Sequence, residues 1–246
     1  MATSLPWLPA AKPPALAEKE LDVWRASLGL SPEKLENLEA TLTAEEKERA
    51  GKFLVPGARE SFVAARGILR ELLGAYLGIG AGQVKFRFGA QGKPFLAAIH
   101  DSPLSFNMSH SHGMGLFAFA ESSEIGVDIE QVRTDFKGME IASRFFSEQE
   151  ITELKKLPTL KANEAFFGYW TRKEAYVKAH GEGLSIPLSS FTVSLSAQEQ
   201  LLEVEGAAWS CFALEPATGF AGALVARGEN WRLRRWECAA GMAEMG

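Results

Sequence analysis

The chain has 246 residues, of which 46% are hydrophobic, 23% charged and 10% aromatic, a balance that supplies a buried core and excludes disordered, collagen-like and coiled-coil chains. Its 26 basic and 31 acidic side chains leave a net charge of −5, which argues against nucleic acid as a partner. Two cysteines, Cys211 and Cys238, lack zinc-type spacing and are too few for a disulfide framework, which suits a reducing, cytoplasmic setting.

Residues 1–14 contain Trp7 and four prolines but no basic segment ahead of an apolar one, so no secretory leader is expected. No run approaches the roughly 20 apolar residues that a membrane span needs. A surface arm to about Ala17 leads into a short strand in which Leu21, Val23 and Trp24 surround Asp22. Ser31-Pro32 and the capping box Thr43-Ala44-Glu45-Glu46 predict helices over about 32–40 and 44–53. Phe62, Ala65, Leu69, Leu72 and Tyr76 fall at helical steps, predicting a longer helix over 59–77 with Arg59, Arg66 and Arg70 on its remaining surface. Alternation over Val84–Phe88, a turn at Gly92-Lys93-Pro94, Phe95-Leu96 and the run from Gly115 to Ala120 predict strands.

The second half repeats this order. A strand is expected over 125–130, helices near 138–157 and 163–180, strands around 191–195, 209–214 and 221–226, and a last strand over 231–237. Ser147 and Glu150 form a second capping box, and Pro158 marks a boundary. The repetition implies an α+β fold of two similar lobes, residues 1–122 and 123–246, joined near 121–124 with a ligand cleft between them.

Gly126-Val127-Asp128-Ile129-Glu130 sends Asp128 and Glu130 to one face of a strand. Paired carboxylates need a compensating cation and suit Mg²⁺, which takes further oxygens from substrate phosphates; a solvated edge strand would explain the pentapeptide equally simply. Trp170, Glu174 and Lys178 recur every four residues beside Lys173, before Gly181 and Gly183. One acid and two lysines on a helix fit a metal–diphosphate site, against the plainer reading of a surface Glu174–Lys178 pair. In the polar run from Phe106 to His112, Asn107, Ser109 and His110 can contact phosphate or ribose, although His110 could equally be a satisfied core side chain. Zinc on His100, His110 and His112 is a weaker alternative, for want of a fourth ligand.

Taken in order, Gly92-Lys93-Pro94, Phe106-Asn107-x-Ser109-His110, Gly126 to Glu130, Arg144-Phe145-Phe146-Ser147 and Trp170-x-x-Lys173-Glu174-x-x-x-Lys178 with Gly181-x-Gly183-Leu184 resemble the 4′-phosphopantetheinyl transferases. The resemblance runs from about Thr43 to Leu195, and it is to the long, two-lobed type that activates peptide and polyketide synthetases. It implies transfer of the phosphopantetheine arm of coenzyme A to a serine of an acyl or peptidyl carrier protein, releasing adenosine 3′,5′-bisphosphate. It makes Asp128, Glu130 and Glu174 ligands of Mg²⁺ and places Arg59 and Arg49 at the ribose 3′-phosphate. Lys93 and Pro94 would border the nucleotide, with Asn107, Ser109 and His110 lining the nucleotide and phosphate region. A basic position of some relatives falls on Glu46, for which Lys47 or Lys52 would have to substitute.

On this reading Lys173, Lys178 and His110 hold diphosphate oxygens while Glu174, directly or through water, takes the serine proton. The carrier would dock on residues 131–160, which offer Phe136, Met139, Phe145 and Phe146, with at least one of the last two in the core. The cleft needs no second subunit, so a monomer is expected. Rival readings are a Mg²⁺-dependent nucleotide pyrophosphohydrolase, which lacks a phosphate-cradling glycine loop here, and a non-catalytic coenzyme A-binding module.

Overall fold

In the computed structural model, residues 6–181, 186–195, 199–204 and 206–238 are described. The first half runs β1 (Leu8–Ala10), β2 (Glu20–Ser27), α1 (Pro32–Thr41), α2 (Ala44–Gly51), α3 (Ala58–Leu77), β3 (Phe86–Phe88), β4 (Pro94–Leu96), β5 (Leu104–Ser111) and β6 (Met114–Glu121). The second runs β7 (Ile125–Gln131), α4 (Gly138–Phe145), α5 (Glu148–Lys155), α6 (Thr159–His180), β8 (Glu199–Val204), β9 (Ala207–Leu214), β10 (Phe220–Arg227) and β11 (Arg232–Cys238).

One sheet has the order β1-β11-β2-β6-β5, another β7-β10-β9-β8, and β3 and β4 form a two-stranded ribbon. The duplication expected from element order is visible in these pairings. In each half a strand leads through three helices to a hairpin, and the triplets β2-β6-β5 and β7-β10-β9 share both order and antiparallel sense. Phe117, Phe119 and Trp24 pack with Leu69, Leu72 and Leu73 of α3, whereas Trp209 and Val225 pack with Phe166, Phe167 and Tyr176 of α6. A third cluster, including Leu21, Val23 and Leu116 of the first sheet and Val127, Ile129 and Leu224 of the second, binds the two sheets together by apolar burial.

Both capping boxes form, and each serves twice. Thr43 and Ser147 accept from the backbone N–H of Glu46 and Glu150, whose carboxylates return to the cap N–H groups at 2.9 Å. The same buried carboxylates each take a cation from the long helix of their lobe: Arg70 reaches Glu46 at 2.8 Å and Lys173 reaches Glu150 at 2.9 Å. Arg66 and Arg70 are therefore inside, with Arg70 only 1% exposed, contrary to the expectation that they decorate the surface of α3.

Three further expectations are corrected. The polar run after Phe106 belongs to a strand, β5. Residues 191–195 form no strand, because their backbone groups bond to side chains: Lys173 takes the carbonyls of Leu188 and Phe191, and Glu150 takes the N–H of Val193. The second sheet instead ends on β8. Finally, β11 returns to the first sheet, parallel between β1 and β2, so sheet membership does not follow the division at residue 122 to the end of the chain. Arg234 and Trp236 of β11 bond to fully buried Asp22 of β2, which also accepts from Tyr76.

Helix α6 lies directly on β7, and Gly126 allows it. A methyl group there would overlap the Ala175 carbonyl and the Ala179 amide of the helix backbone. We expect Gly126→Ala to cost about 3 kcal/mol in chemical denaturation, at the upper end of overpacking, because neither backbone can yield locally. Wild-type stability would show that the helix can stand off the strand.

Candidate active site between two sheet edges

Strand β5 ends the first sheet and β7 begins the second, so each presents an edge to the other. Side chains, rather than a backbone ladder, span the gap. Asn107, Ser109 and Ser111 alternate along β5 and are buried. The Asn107 Oδ1 accepts from the Val127 N–H at 2.9 Å, the Ser109 hydroxyl donates to Asp128 Oδ1 at 2.9 Å, and the Ser111 hydroxyl donates to Glu130 Oε2 at 3.0 Å. Ser111 was missed in the sequence, although it continues the two-residue step from Asn107 and Ser109.

Lys178 comes from α6 and donates to Asp128 Oδ1 at 2.6 Å and to Ser109 Oγ at 2.9 Å. Asp128 is 4% exposed, and its other carboxylate oxygen, Oδ2, is buried with no hydrogen-bond partner. Glu174 stands one helical turn before Lys178. Burial, followed by the charge of Asp128, raises the carboxyl groups of both Glu130 and Glu174 above their ordinary range, although Lys178 pulls each down. Asp128, Glu130 and Glu174 thus share one electrostatic environment with more negative charge than Lys178 balances. Among the described residues no three His, Cys, Asp or Glu side chains are grouped so that they alone could hold a metal ion.

A cavity of about 290 Å³ opens beside these groups, lined among others by Lys93, Pro94, Asn107, Met108, Glu174 and Lys178. A larger cavity of about 750 Å³ lies elsewhere, beside Arg25, Leu30, Lys34 and Ile68, and contains none of the expected site residues. His110 is on the exposed side of β5; partial burial, then the Lys178 and Arg66 cations, hold its imidazole below the ordinary pKa.

Several expected residues take other roles. Lys173 is wholly buried, with its ammonium on Glu150 and the carbonyls of Leu188 and Phe191, so it does not face the cavity. The Lys93 ammonium donates to the carbonyls of Ile125, Lys178 and Ala179, fastening the β3–β4 ribbon to the end of α6, and burial pulls its pKa down to about 8. Arg59 is committed to Glu39, at 2.6 and 2.9 Å. Arg49 stacks over the Phe62 ring, 5.5 Å from its centroid. Lys52 pairs with exposed Glu48, and Glu46 belongs to the capping box and to Arg70. His100 accepts from the Lys85 N–H while His112 pairs with Ser111, which leaves the zinc alternative without a shared centre. Gly183 and Leu184 lie outside the described residues.

Two family models divide the chain between them: "4′-phosphopantetheinyl transferase, N-terminal" over residues 26–122 and "4′-phosphopantetheinyl transferase superfamily" over residues 124–225. The 4′-phosphopantetheinyl transferase HetI of Nostoc sp. is 39% identical over 233 residues, covering 94% of this chain and 97% of its own. The chain belongs to the 4′-phosphopantetheinyl transferase superfamily. A second superfamily member, Sfp of Bacillus subtilis, is 33% identical over 176 residues, 67% of this chain and 76% of its own.

On this transferase, the segment after β7 divides between core and surface. Phe146 is buried and stacks on Phe166 with ring centroids 5.2 Å apart, and Phe136 packs on Phe166 and Phe167. Phe145 is 45% exposed and meets Trp170 edge-on, while Leu157 and Leu160 are exposed nearby in sequence.

Proposed function

We propose that this protein transfers the 4′-phosphopantetheine group of coenzyme A to a serine hydroxyl of an apo acyl or peptidyl carrier protein, releasing adenosine 3′,5′-bisphosphate. The observation that carries this reading is that Glu174 and Lys178 line one cavity while Lys178 pairs with Asp128 and the charges of Asp128 and Glu130 act on Glu174, in a chain that matches a 4′-phosphopantetheinyl transferase over 94% of its length. In the reaction the serine oxygen forms a bond to the β-phosphorus, the diphosphate P–O bond breaks toward the nucleotide, and the serine proton must be accepted.

The donor set fits a hard divalent cation. Asp128 keeps a buried oxygen without a partner, and burial, followed by the Asp128 charge, raises the neighbouring carboxyl groups of Glu130 and Glu174. Mg²⁺ is commonly held by one or two carboxylates with water and substrate oxygens, so a ready-made cage is not required. Asp128, Glu130 and Glu174 would hold it; when bound, it neutralises and polarises the diphosphate.

The chain supplies the rest. Lys178 offers an ammonium to phosphate oxygens. His110, kept neutral near pH 7, donates a hydrogen bond. Glu174, whose raised pKa suits a base, receives the serine proton. Lys173 has no part in this scheme, and the Lys93 ammonium serves by holding α6 rather than by touching the nucleotide. The carrier docks on the exposed apolar side chains Phe145, Leu157 and Leu160, while Phe146 supports them from the core. Residues 1–122 form the nucleotide side and residues 123–246 the metal and carrier side. One chain supplies every group in this scheme, so the active form is a monomer working in the cytoplasm; no helix among the described residues is long and apolar enough to cross a membrane.

Incubation with coenzyme A, Mg²⁺ and an apo carrier, followed by mass spectrometry of the carrier, tests the reading. Addition of one phosphopantetheine group is the expected result. Nucleotide cleavage with an unlabelled carrier would replace it by a pyrophosphohydrolase, and neither product by a coenzyme A-binding module.

A further inference from the structure

Strands β5 and β7 face each other with the same two-residue step, so side chains of one meet matching positions of the other. Asn107 reaches the backbone of Val127, Ser109 reaches Asp128 and Ser111 reaches Glu130. The first contact ends on a backbone N–H and ties the two edges together. The other two end on carboxylates of the proposed cation site. Each hydroxyl engages a single oxygen of its carboxylate, Oδ1 of Asp128 and Oε2 of Glu130. The second oxygen stays out of the bond, and in Asp128 it is buried with no hydrogen-bond partner. Ser109 also accepts from Lys178, whereas Ser111 has no place in the scheme above.

Ser111 is 8% exposed, and its hydroxyl is held from three sides. It accepts from the Gln131 N–H at 3.3 Å, donates to Glu130 at 3.0 Å and lies 3.0 Å from His112 Nδ1. A hydroxyl has one hydrogen and two lone pairs. Because the hydrogen goes to the carboxylate, the stronger acceptor, His112 donates from Nδ1 and all three capacities of the hydroxyl are filled. The turn brings the ring there: His112 and Gly113, with φ of 44° and 79°, close the β5–β6 hairpin in two residues. Asparagine or glycine is the commoner first residue of such a turn, and histidine adds a ring that reaches Ser111.

A carboxylate holds a cation well only when its own torsions are fixed, and hydrogen bonds one step removed from a metal commonly do this. Glu130 is less buried than Asp128 and has one more rotatable bond, so it gains more from such a restraint. We infer that Ser111 is a positioning residue for the transfer reaction, fixing the direction of the Glu130 carboxylate toward a divalent cation shared with Asp128. It acts through Glu130 and not on the substrate. The inference rests on the cation proposed above and deepens it by naming the side chain that orients one of its ligands.

Binding of Mn²⁺, a probe with the same preference for oxygen ligands, tests it by electron paramagnetic resonance with coenzyme A present and no carrier, so that nothing turns over. Ser111→Ala should weaken Mn²⁺ binding by about 10- to 100-fold, the range for such supporting contacts, and Ser111→Thr, which keeps the hydroxyl, should bind as the wild type does. The Mg²⁺ concentration for half-maximal transfer should rise with the loss, while the rate at saturating Mg²⁺ changes less. Melting temperatures should stay within a few degrees, since one hydrogen bond is removed and no charge is stranded. In a Glu130→Gln background, Ser111→Ala should add little further loss. Wild-type Mn²⁺ affinity in Ser111→Ala, or an equal loss in the Glu130→Gln background, would make Ser111 a purely structural tie and leave the cation reading standing. If the wild type retains no Mn²⁺ with coenzyme A bound, the cation reading falls and the inference with it.

Discussion

Asp128→Asn should lower phosphopantetheine transfer by on the order of 10³-fold or more while the protein stays folded, equivalent to about 4 kcal/mol in the barrier. The substitution keeps an oxygen in place to accept from Ser109 and Lys178 but removes the charge around which the proposed cation site is built. Two effects on stability oppose each other. Lys178 loses its ion pair, which is modest because its side chain is 31% exposed, while Glu130 and Glu174 are freed from the Asp128 charge that raises them. The melting temperature should therefore stay within a few degrees of wild type, equivalent to about 1 kcal/mol. Steady-state transfer assays and thermal melts check both halves, and full activity in the folded variant would remove the proposed cation from the reaction.

Lys173→Met should act on the fold instead. Lys173 and Glu150 are completely buried and 2.9 Å apart, so the substitution leaves a carboxylate inside the protein with two backbone N–H donors and no cation. Breaking such a pair from one side costs about 3–5 kcal/mol, a large part of a typical domain's stability. Adding Glu150→Leu to Lys173→Met should restore part of the loss, because no unpaired charge then remains. Denaturant titrations of the single and double variants measure this. A stable Lys173→Met protein with no transfer activity would instead return Lys173 to the reacting phosphates.

This lysine marks where local spacing stops being informative. Spacing along α6 groups Trp170, Glu174 and Lys178, and the last two do line the cavity. Lys173 precedes Glu174 by one residue, which turns it roughly 100° around the helix, toward Glu150. Nothing within the helix says that a capping-box acid, 23 residues earlier in the sequence, waits on that side. The same blindness hid Arg66 and Arg70, read as surface charges because their acid, Glu46, had already been assigned to the start of α2. Asp128 and Glu130 were legible because a strand's two-residue repeat is strictly local. Strand β5 was harder to read: as an outer strand it reaches its neighbour sheet through Asn107, Ser109 and Ser111, so its inward face is polar. Pairing of β11 with β2 joins residues 212 positions apart, beyond any periodicity.

That pairing also sets an order of events during synthesis. Asp22 is made early, yet Arg234 and Trp236, which hold both of its oxygens, leave the ribosome more than 200 residues later. Until they arrive, β2 lacks its partner on one flank, and the carboxylate has only the Tyr76 hydroxyl among these donors. The nascent first lobe therefore keeps an open strand edge along β2 until the closing strand arrives beside it.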